Sequence, residues 1–327
     1  MQLVVDKFGT FIGKKENRFQ INTKDKKEEY SADKVSQILV TSPSGISASA
    51  IKLAMEKNID IVYTNYIGQP YARIYPCKLG GTTLTRRKQL EAYYNDKGRL
   101  LVKKFIEAKT KNQLYLLKSL NKERDGIFAD EINELASHKN ELANLDGSID
   151  EIRQNLLGIE GYFASRYFGC LSKIIPFEKR DRKSDDAFNI VLNYGYGMLY
   201  NEIERACIIS GLDPYLGFLH TDRYGKPCMT LDLIEEFRQP IVDRAIITLF
   251  SQKQIDEKDF ENLEDRRMLS QIGRKKVLEA VLGRINKKIK FKNRNLTFKQ
   301  VILEQARNIV RFLSEQNKSY EPFIYRW

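Results

Sequence analysis

The sequence predicts an α+β protein: a small β-rich N-terminal domain at residues 1–78, followed by a larger all-α domain at residues 79–327. Three observations predict this. The first quarter of the chain is crowded with short runs rich in β-branched and aromatic residues, separated by glycines and charged turns. Beyond Thr82 the apolar residues recur at helical spacing almost throughout. At 327 residues, 42% hydrophobic and 30% charged, the chain is long enough to bury two cores.

Gln2 to Val5, Thr10 to Gly13 and Arg18 to Ile21 read as strands of a meander. Val35 to Val40 is a further strand, broken by Ser42-Pro43-Ser44-Gly45. Ser47 to Lys57 reads as a short helix with Ser47 or Ser49 as its N-cap. Ile59 to Thr64 returns to strand, and Tyr71 to Tyr75 follows a Gly-Gln-Pro turn. Pro76 to Gly81 reads as the linker. One long amphipathic helix then carries Leu100, Phe105, Leu114, Leu117 and Leu120. A more polar helix spans Ile127 to Leu142. Turn and cap residues at Leu145 to Asp150 reset the chain before Ile152, Leu156, Ile159 and Phe163 resume helical spacing. Asp185 opens a helix through Tyr200 to Ile209, stopped at Gly211-Leu212-Asp213-Pro214. Further helices are expected at Leu231 to Phe250, Met268 to Lys288 and Lys299 to Glu315. The charged stretch Ser251 to Asp265 reads as a flexible excursion.

No run approaches the ~18 apolar residues of a membrane helix. The start reads as a strand, without a basic-then-apolar signal pattern. The four cysteines, Cys77, Cys170, Cys207 and Cys228, form no C-x-x-C pair. A cytoplasmic protein with reduced thiols, making no use of a membrane, is the expectation.

Net charge is +12 and unevenly spread. From Arg266 to Trp327 there are 16 Lys or Arg against 4 Asp or Glu, while residues 1–265 carry 39 of each. A localised basic excess interleaved with Phe291, Phe298 and Phe312 is the footprint of a polyphosphate partner such as DNA. A solvated helix face is the plainer alternative.

Chemistry concentrates in a few residues. Of two histidines, His138 lies on the polar helix and reads as solvent-facing. His220 follows the apolar run Gly217-Phe218-Leu219, where a lone histidine is more often structural than a ligand. Twelve residues on, Asp232, Glu235 and Glu236 stand at helical spacing i, i+3 and i+4. Asp232 has a plain reading as helix-dipole chemistry. Clustered carboxylates repel one another, and a nearby cation relieves that. Glu160 borders the apolar stripe of its helix, so it either pairs with a cation or forms a salt bridge to Arg153 or Arg166. One imidazole and two carboxylates suit Mg²⁺ or Mn²⁺ with positions left for water and phosphate. No P-loop, G-x-G-x-x-G, H-E-x-x-H or G-x-S-x-G pattern argues for another chemistry.

At these residues the sequence resembles the CRISPR adaptation integrases, the Cas one nuclease-integrase family. The segments that carry the resemblance are Leu157-Gly158-Ile159-Glu160-Gly161 with Tyr167-Phe168, Gly211 to Thr221 (GLDPYLGFLHT), and Leu231 to Arg238 (LDLIEEFR) with Asp243-Arg244. Weaker similarities are Arg86-Arg87-Lys88-Gln89, Lys109 with Asn112, and Asp185 with Asn189 and Tyr196. The resemblance implies that Glu160, His220 and Glu235 hold the metal and are catalytic. It places Asp232 beside them and Tyr200 near the site. Arg86, Arg87, Lys88, Lys226, Arg238, Arg274, Lys275 and Lys276 are then the expected DNA contacts. At Lys226 an arginine is frequent, so the planar fork is lost while the charge is kept.

The resemblance further implies a homodimer joined through the β-rich domains and a dimer of the Cas two protein as partner. It implies that captured foreign DNA is inserted into a CRISPR array when its 3′-hydroxyl attacks a repeat phosphodiester. Nicking of double-stranded or branched DNA is the same chemistry with water. A non-catalytic DNA-binding scaffold and a generic repair nuclease are the rival readings; dependence on metal and on the partner separates them.

Overall fold

The computed structural model describes residues 1–327 except 67, 78–81, 139–140, 143, 222 and 264–265, and the side chain of residue 82. The chain divides into two compact units, Met1–Leu79 and Gly80–Trp327. Residues 78–81 of the expected linker, and with them the expected boundary, lie outside the described residues.

The first unit contains, in order, β1 (Gln2–Val5), β2 (Phe11–Lys15), β3 (Arg18–Asn22), β4 (Lys27–Ser31), β5 (Gln37–Val40), β6 (Gly45–Ile46), α1 (Ala48–Glu56), β7 (Asp60–Thr64) and β8 (Pro70–Ile74). Among the described residues these form two sheets, ordered β1-β5-β7-β8 and β4-β3-β2-β6. In the first, β1, β5 and β7 run parallel and β8 returns antiparallel. In the second, β2, β3 and β4 form the antiparallel meander, and β6 lies parallel to β2. Leu3, Val5, Ile12, Phe19, Ile38 and Ile61 close the core with Ala50 and Leu53 of α1. Ser47 Oγ accepts the Ala50 N–H at 3.2 Å and starts α1. Strand β4 (KEEYS) is an addition to the sequence reading. It is an edge strand of charged residues, so it carries no apolar run to announce it.

The second unit is built on α2 (Thr82–Ala92), α3 (Asp96–Lys122), α4 (Ala129–Ser137), α5 (Ile149–Ser172), α6 (Ala187–Ser210), α7 (Cys228–Leu233), α8 (Arg244–Ser251), α9 (Gln271–Ile285) and α10 (Phe298–Leu313). Helix α3 packs on α5, and α6 packs on α10 and α9. Ser148 and Glu151 form a capping box that starts α5. Asp186, one residue past the expected start, caps α6, and Gly211 ends it at φ 85°.

Three expectations give way here. The helix expected over Leu231 to Phe250 is interrupted: α7 ends at Leu233, a 3-10 turn covers Ile234–Glu236, a π-helical stretch covers Arg238–Asp243, and α8 resumes at Arg244. Pro240 lacks the N–H that a regular α-helix needs there. The expected excursion Ser251 to Asp265 instead contributes β9 (Phe260–Leu263), which pairs antiparallel with β10 (Arg266–Leu269); its residues 264–265 lie outside the described residues. The helix expected over Met268 to Lys288 is α9, bounded by β10 and by β11 (Lys288–Phe291). Strand β11 pairs with β12 (Arg294–Thr297). The hairpin turns through Lys292 and Asn293, both at positive φ (44° and 62°), as a two-residue turn matched to strand twist requires. The larger unit is therefore helical with two short hairpins rather than purely α. Four-residue strands are too short to outweigh the helical periodicity on either side of them.

Candidate active site

All of the expected metal ligands lie in the helical unit, and a lysine absent from the expected set joins two of them. Lys109 of α3 points its ammonium at Glu160 of α5 and at Glu235 in the 3-10 turn. Its Nζ hydrogen-bonds Glu160 Oε1 and lies 2.7 Å from Glu235 Oε2. The surroundings are dry: the Lys109 side chain is 10% exposed and that of Glu235 only 2%. Arg238 Nη2 lies 3.0 Å from the other Glu235 oxygen. Burial by itself would raise the Glu235 pKa; Arg238, Lys109 and His220 together outweigh it and hold the carboxyl well below the usual carboxylate range. The salt bridge weighed for Glu160 does not form with Arg153 or Arg166. Those arginines pair with Asp150 and Glu134.

His220 reaches the site on a loop fixed from three sides. Gln89 of α2 accepts the Asp213 N–H and donates to the Asp213 and Leu216 carbonyls. Arg153 of α5 donates to the Leu219 carbonyl at 3.0 Å. Asp232 of α7, fully buried, accepts the backbone N–H groups of Phe218, Leu219 and His220 at 2.6, 3.0 and 3.1 Å. Its Oδ1 also takes His220 Nδ1 at 2.6 Å. Gly217 permits the close approach: a Cβ there would meet the Cys228 carbonyl carbon at 2.5 Å. Asp232 is thus an anchor for the loop and an orienting partner for the imidazole, rather than a third carboxylate beside Glu160 and Glu235. With Nδ1 held by a carboxylate, Nε2 is the ring nitrogen left for another partner, the arrangement found for metal-ligating histidines.

Among the described residues no three His, Cys, Asp or Glu side chains stand together at metal-ligand spacing. The place between Glu160 and Glu235 is taken by the Lys109 ammonium. The donor set nevertheless fits a hard divalent ion. Two carboxylates from different elements already converge on one cation, and His220, which acts electrostatically on Glu235, has its Nδ1 fixed by Asp232.

Two further groups brace Glu235. Arg238 lies over the Tyr196 ring at 4.7 Å from its centroid. Tyr196 and Tyr167 donate to the buried Asp243 at 2.6 and 2.8 Å. On the other side, Glu236 is bound by the C-terminal segment. It accepts the Tyr320 hydroxyl (2.5 Å), the Phe323 N–H (2.9 Å) and Gln305 Nε2 (3.0 Å). Asn112 of α3 donates to the Glu236 and Phe323 carbonyls and accepts the Tyr325 N–H. Burial pushes Glu236 up to about 7 despite those hydrogen bonds.

The remaining expected site residues fall in several places. Arg238 is half-buried, with Glu235 on one side and the Tyr196 ring on the other. Tyr200 packs against the helical core, and Tyr196, one turn earlier on α6, lies under Arg238 and donates to Asp243. Arg87 and Lys275 are exposed. Arg86 faces Asp213 at 3.6 Å, Lys88 pairs with Glu91, and Arg274 stands 3.9 Å from Glu261. Lys276 is taken up by Asp259 and the Gln254 carbonyl. Lys226 lies in the turn after His220. The β11–β12 hairpin adds exposed Lys288, Lys290 and Lys292. The signal for Lys109 was present in the sequence: it sits at i+4 from Phe105 on the apolar stripe of α3, where a lone lysine needs a buried partner.

Fold and site define a class first: a β-rich unit followed by a helical unit in which Glu160 and Glu235 meet on Lys109 and His220 is held by Asp232. The family follows from comparison. Residues 3–282 match the family described as CRISPR associated protein Cas1, and the chain belongs to that family. It is 36% identical to CRISPR-associated endonuclease Cas1 1 of Archaeoglobus fulgidus, with both chains covered completely. It is 30% identical to CRISPR-associated endonuclease Cas1 3 of Thermus thermophilus, over 89% of this chain and 86% of the relative. Among solved structures, a casposase bound to integration product superposes with TM-score 0.85 and 26% identity, over 98% of this chain and 92% of the casposase. Among the described residues, no helix is long and apolar enough to cross a membrane.

Proposed function

We propose that this chain is a divalent-metal-dependent nuclease and DNA-joining enzyme of CRISPR adaptation, with Glu160, His220 and Glu235 as the ligands of Mg²⁺ or Mn²⁺. The observation that carries the reading is the convergence of Glu160 and Glu235 on one cation; His220, its Nδ1 held by Asp232, acts electrostatically on Glu235. Family membership and the likeness to a casposase bound to integration product support the reaction class. A bound cation supplies charge neutralisation at the phosphodiester and lowers the pKa of a coordinated hydroxyl.

The chain's own residues do the rest. Asp232 holds His220 Nδ1, which leaves Nε2 for the metal. Arg238 and the Tyr196–Asp243 pair keep Glu235 ionised and oriented. In the joining step, the 3′-oxygen of captured DNA forms a bond to a repeat phosphorus and loses its proton. The bond from that phosphorus to the repeat's own 3′-oxygen breaks, and that oxygen leaves as a hydroxyl. With water as nucleophile, the same site nicks branched or double-stranded DNA. Arg86, Arg87, Lys275 and the lysines of the β11–β12 hairpin grip backbone phosphates. A second copy of the chain and a Cas2 dimer are the protein partners of this reading, and the cytoplasm is where it acts.

The test is a joining assay with the Cas2 partner and a branched duplex, run with Mn²⁺ and with EDTA. Products should require metal and should be lost in Glu160→Ala and His220→Ala proteins whose circular dichroism is unchanged. Undiminished joining by both folded variants sinks the assignment. Binding that ignores EDTA, with no product under any condition, points to a scaffold instead.

A further inference from the structure

Lys109 presents a charge problem that the proposed metal site does not solve by itself. Around Glu235 the structure sets two cations, Lys109 and Arg238, against two carboxylates, Glu160 and Glu235. Asp232 is already occupied by three backbone N–H groups and His220. Asp243 adds a further carboxylate beside Arg238, so what stands in the way of a metal is not the sum of charge but the Lys109 ammonium itself, which fills the place between Glu160 and Glu235. A divalent ion between the same carboxylates would meet that ammonium among side chains that are 2% to 22% exposed. There like charges repel. The ammonium has to leave when the ion arrives.

The two cations differ in their freedom to leave. Arg238 lies over the Tyr196 ring, and its charge is also faced by Asp243. Lys109 is a compact ammonium on a long flexible stem, and the two contacts that hold its head are the metal-binding carboxylates themselves.

We propose that Lys109 is the exchangeable counter-ion of this site: it holds Glu160 and Glu235 together in the metal-free protein, yields them to the divalent ion, and then contacts the substrate phosphate. It is thereby a catalytic residue that couples metal binding to DNA binding. The inference rests on the metal-site reading above. Metal binds weakly without DNA because it must displace an ammonium. A phosphodiester supplies a new partner for the displaced Lys109, so each ligand strengthens the other by the same factor.

The test is a titration of metal-free, full-length protein with Mn²⁺, following free ion by electron paramagnetic resonance. It is run with and without a branched duplex whose 3′ ends are dideoxy, so that no joining occurs, and duplex alone serves as the blank. In the wild type the duplex should raise Mn²⁺ affinity by roughly tenfold or more, within the range of ordinary coupling. Lys109→Met should bind Mn²⁺ about tenfold tighter without DNA, and the duplex should then add little. Its melting temperature should rise more on adding Mn²⁺ than that of the wild type. Lys109→Arg, which keeps the charge, should keep the coupling. Where Lys109→Met does not fold, Lys109→Gln retains a donor without the charge and is read in the same way. Unchanged or weaker Mn²⁺ binding in the neutral variants overturns the proposal, as does a duplex effect that survives them. Glu160→Ala is titrated alongside to separate the two readings. If it binds Mn²⁺ like the wild type, the metal site itself is wrong. If it loses Mn²⁺ while the neutral Lys109 variants bind as the wild type does, only the role of Lys109 falls.

Discussion

At the scale of single residues, Asp232 holds more than its own charge. Its carboxylate serves three backbone N–H groups and the imidazole at once. Exchanging Asp232 for Asn puts an amide NH₂ against at least one of those donors. The cost expected for a buried donor left without an acceptor is about 1–3 kcal/mol, to be read by chemical denaturation. Because the imidazole also loses its anionic partner, Mn²⁺ affinity should fall roughly 10- to 100-fold, in the same titration used for Lys109. A loss of stability with normal Mn²⁺ affinity shows that Asp232 anchors the loop without orienting His220. Glu235, Asp232 and His220 were readable as a group from spacing and resemblance. The partner of Glu160 was not. Sequence offered Arg153 and Arg166 within one or two turns, whereas the real partner, Lys109, comes from a helix packed alongside.

At the scale of elements, the interrupted helix after α7 and the C-terminal segment act together. The 3-10 turn that carries Glu235 is clamped through its neighbour Glu236 by Tyr320, Phe323 and Gln305, and Phe237 stacks on Phe323 at 5.1 Å. Folding moves the Glu236 carboxyl from 4.5 to about 7. The folded state therefore binds a proton that the unfolded state has released across that window. This contribution is fully present below about pH 4.5 and is lost as pH rises through about 7. Metal-free wild type should lose stability over that range, and Glu236→Gln, which does not titrate, should flatten the curve. Matching pH slopes for the two proteins argue against the assignment. Periodicity read this region as one helix because Leu231, Ile234 and Arg238 share a face. It could not register that Pro240 and the docked tail open that helix into 3-10 and π turns.

At the scale of the whole chain, the basic excess after Arg266 was visible as a count, but its display was not. Strand β11 alternates exposed Lys288 and Lys290 around buried Ile289, and Lys292 stands in the turn. A helix over the same residues would have spread these lysines around its axis. DNA affinity should fall linearly with the logarithm of salt concentration. Replacing Lys288, Lys290 and Lys292 by Ala should lessen that slope by about 0.9 for each lysine that touches a phosphate, measured by fluorescence anisotropy at several salt concentrations. An unchanged slope removes the hairpin from the DNA-binding surface.

The sequence by itself determined the order of the chain, strands first and helices after, because binary patterning and turn residues act over a few neighbours. It also singled out Glu160, His220 and Glu235 as the candidate ligands, which lie in three distinctive segments. The tertiary structure decided what those residues face. Lys109 reaches Glu160 and Glu235 because α3 packs on α5 and beside the 3-10 turn. Arg238 turns inward because Glu235 and Tyr196 are there to receive it. The C-terminal segment closes over Glu236 from more than eighty residues away. Contacts between residues so distant along the chain leave no periodic trace. They exist only once burial has brought the charges close enough to need one another.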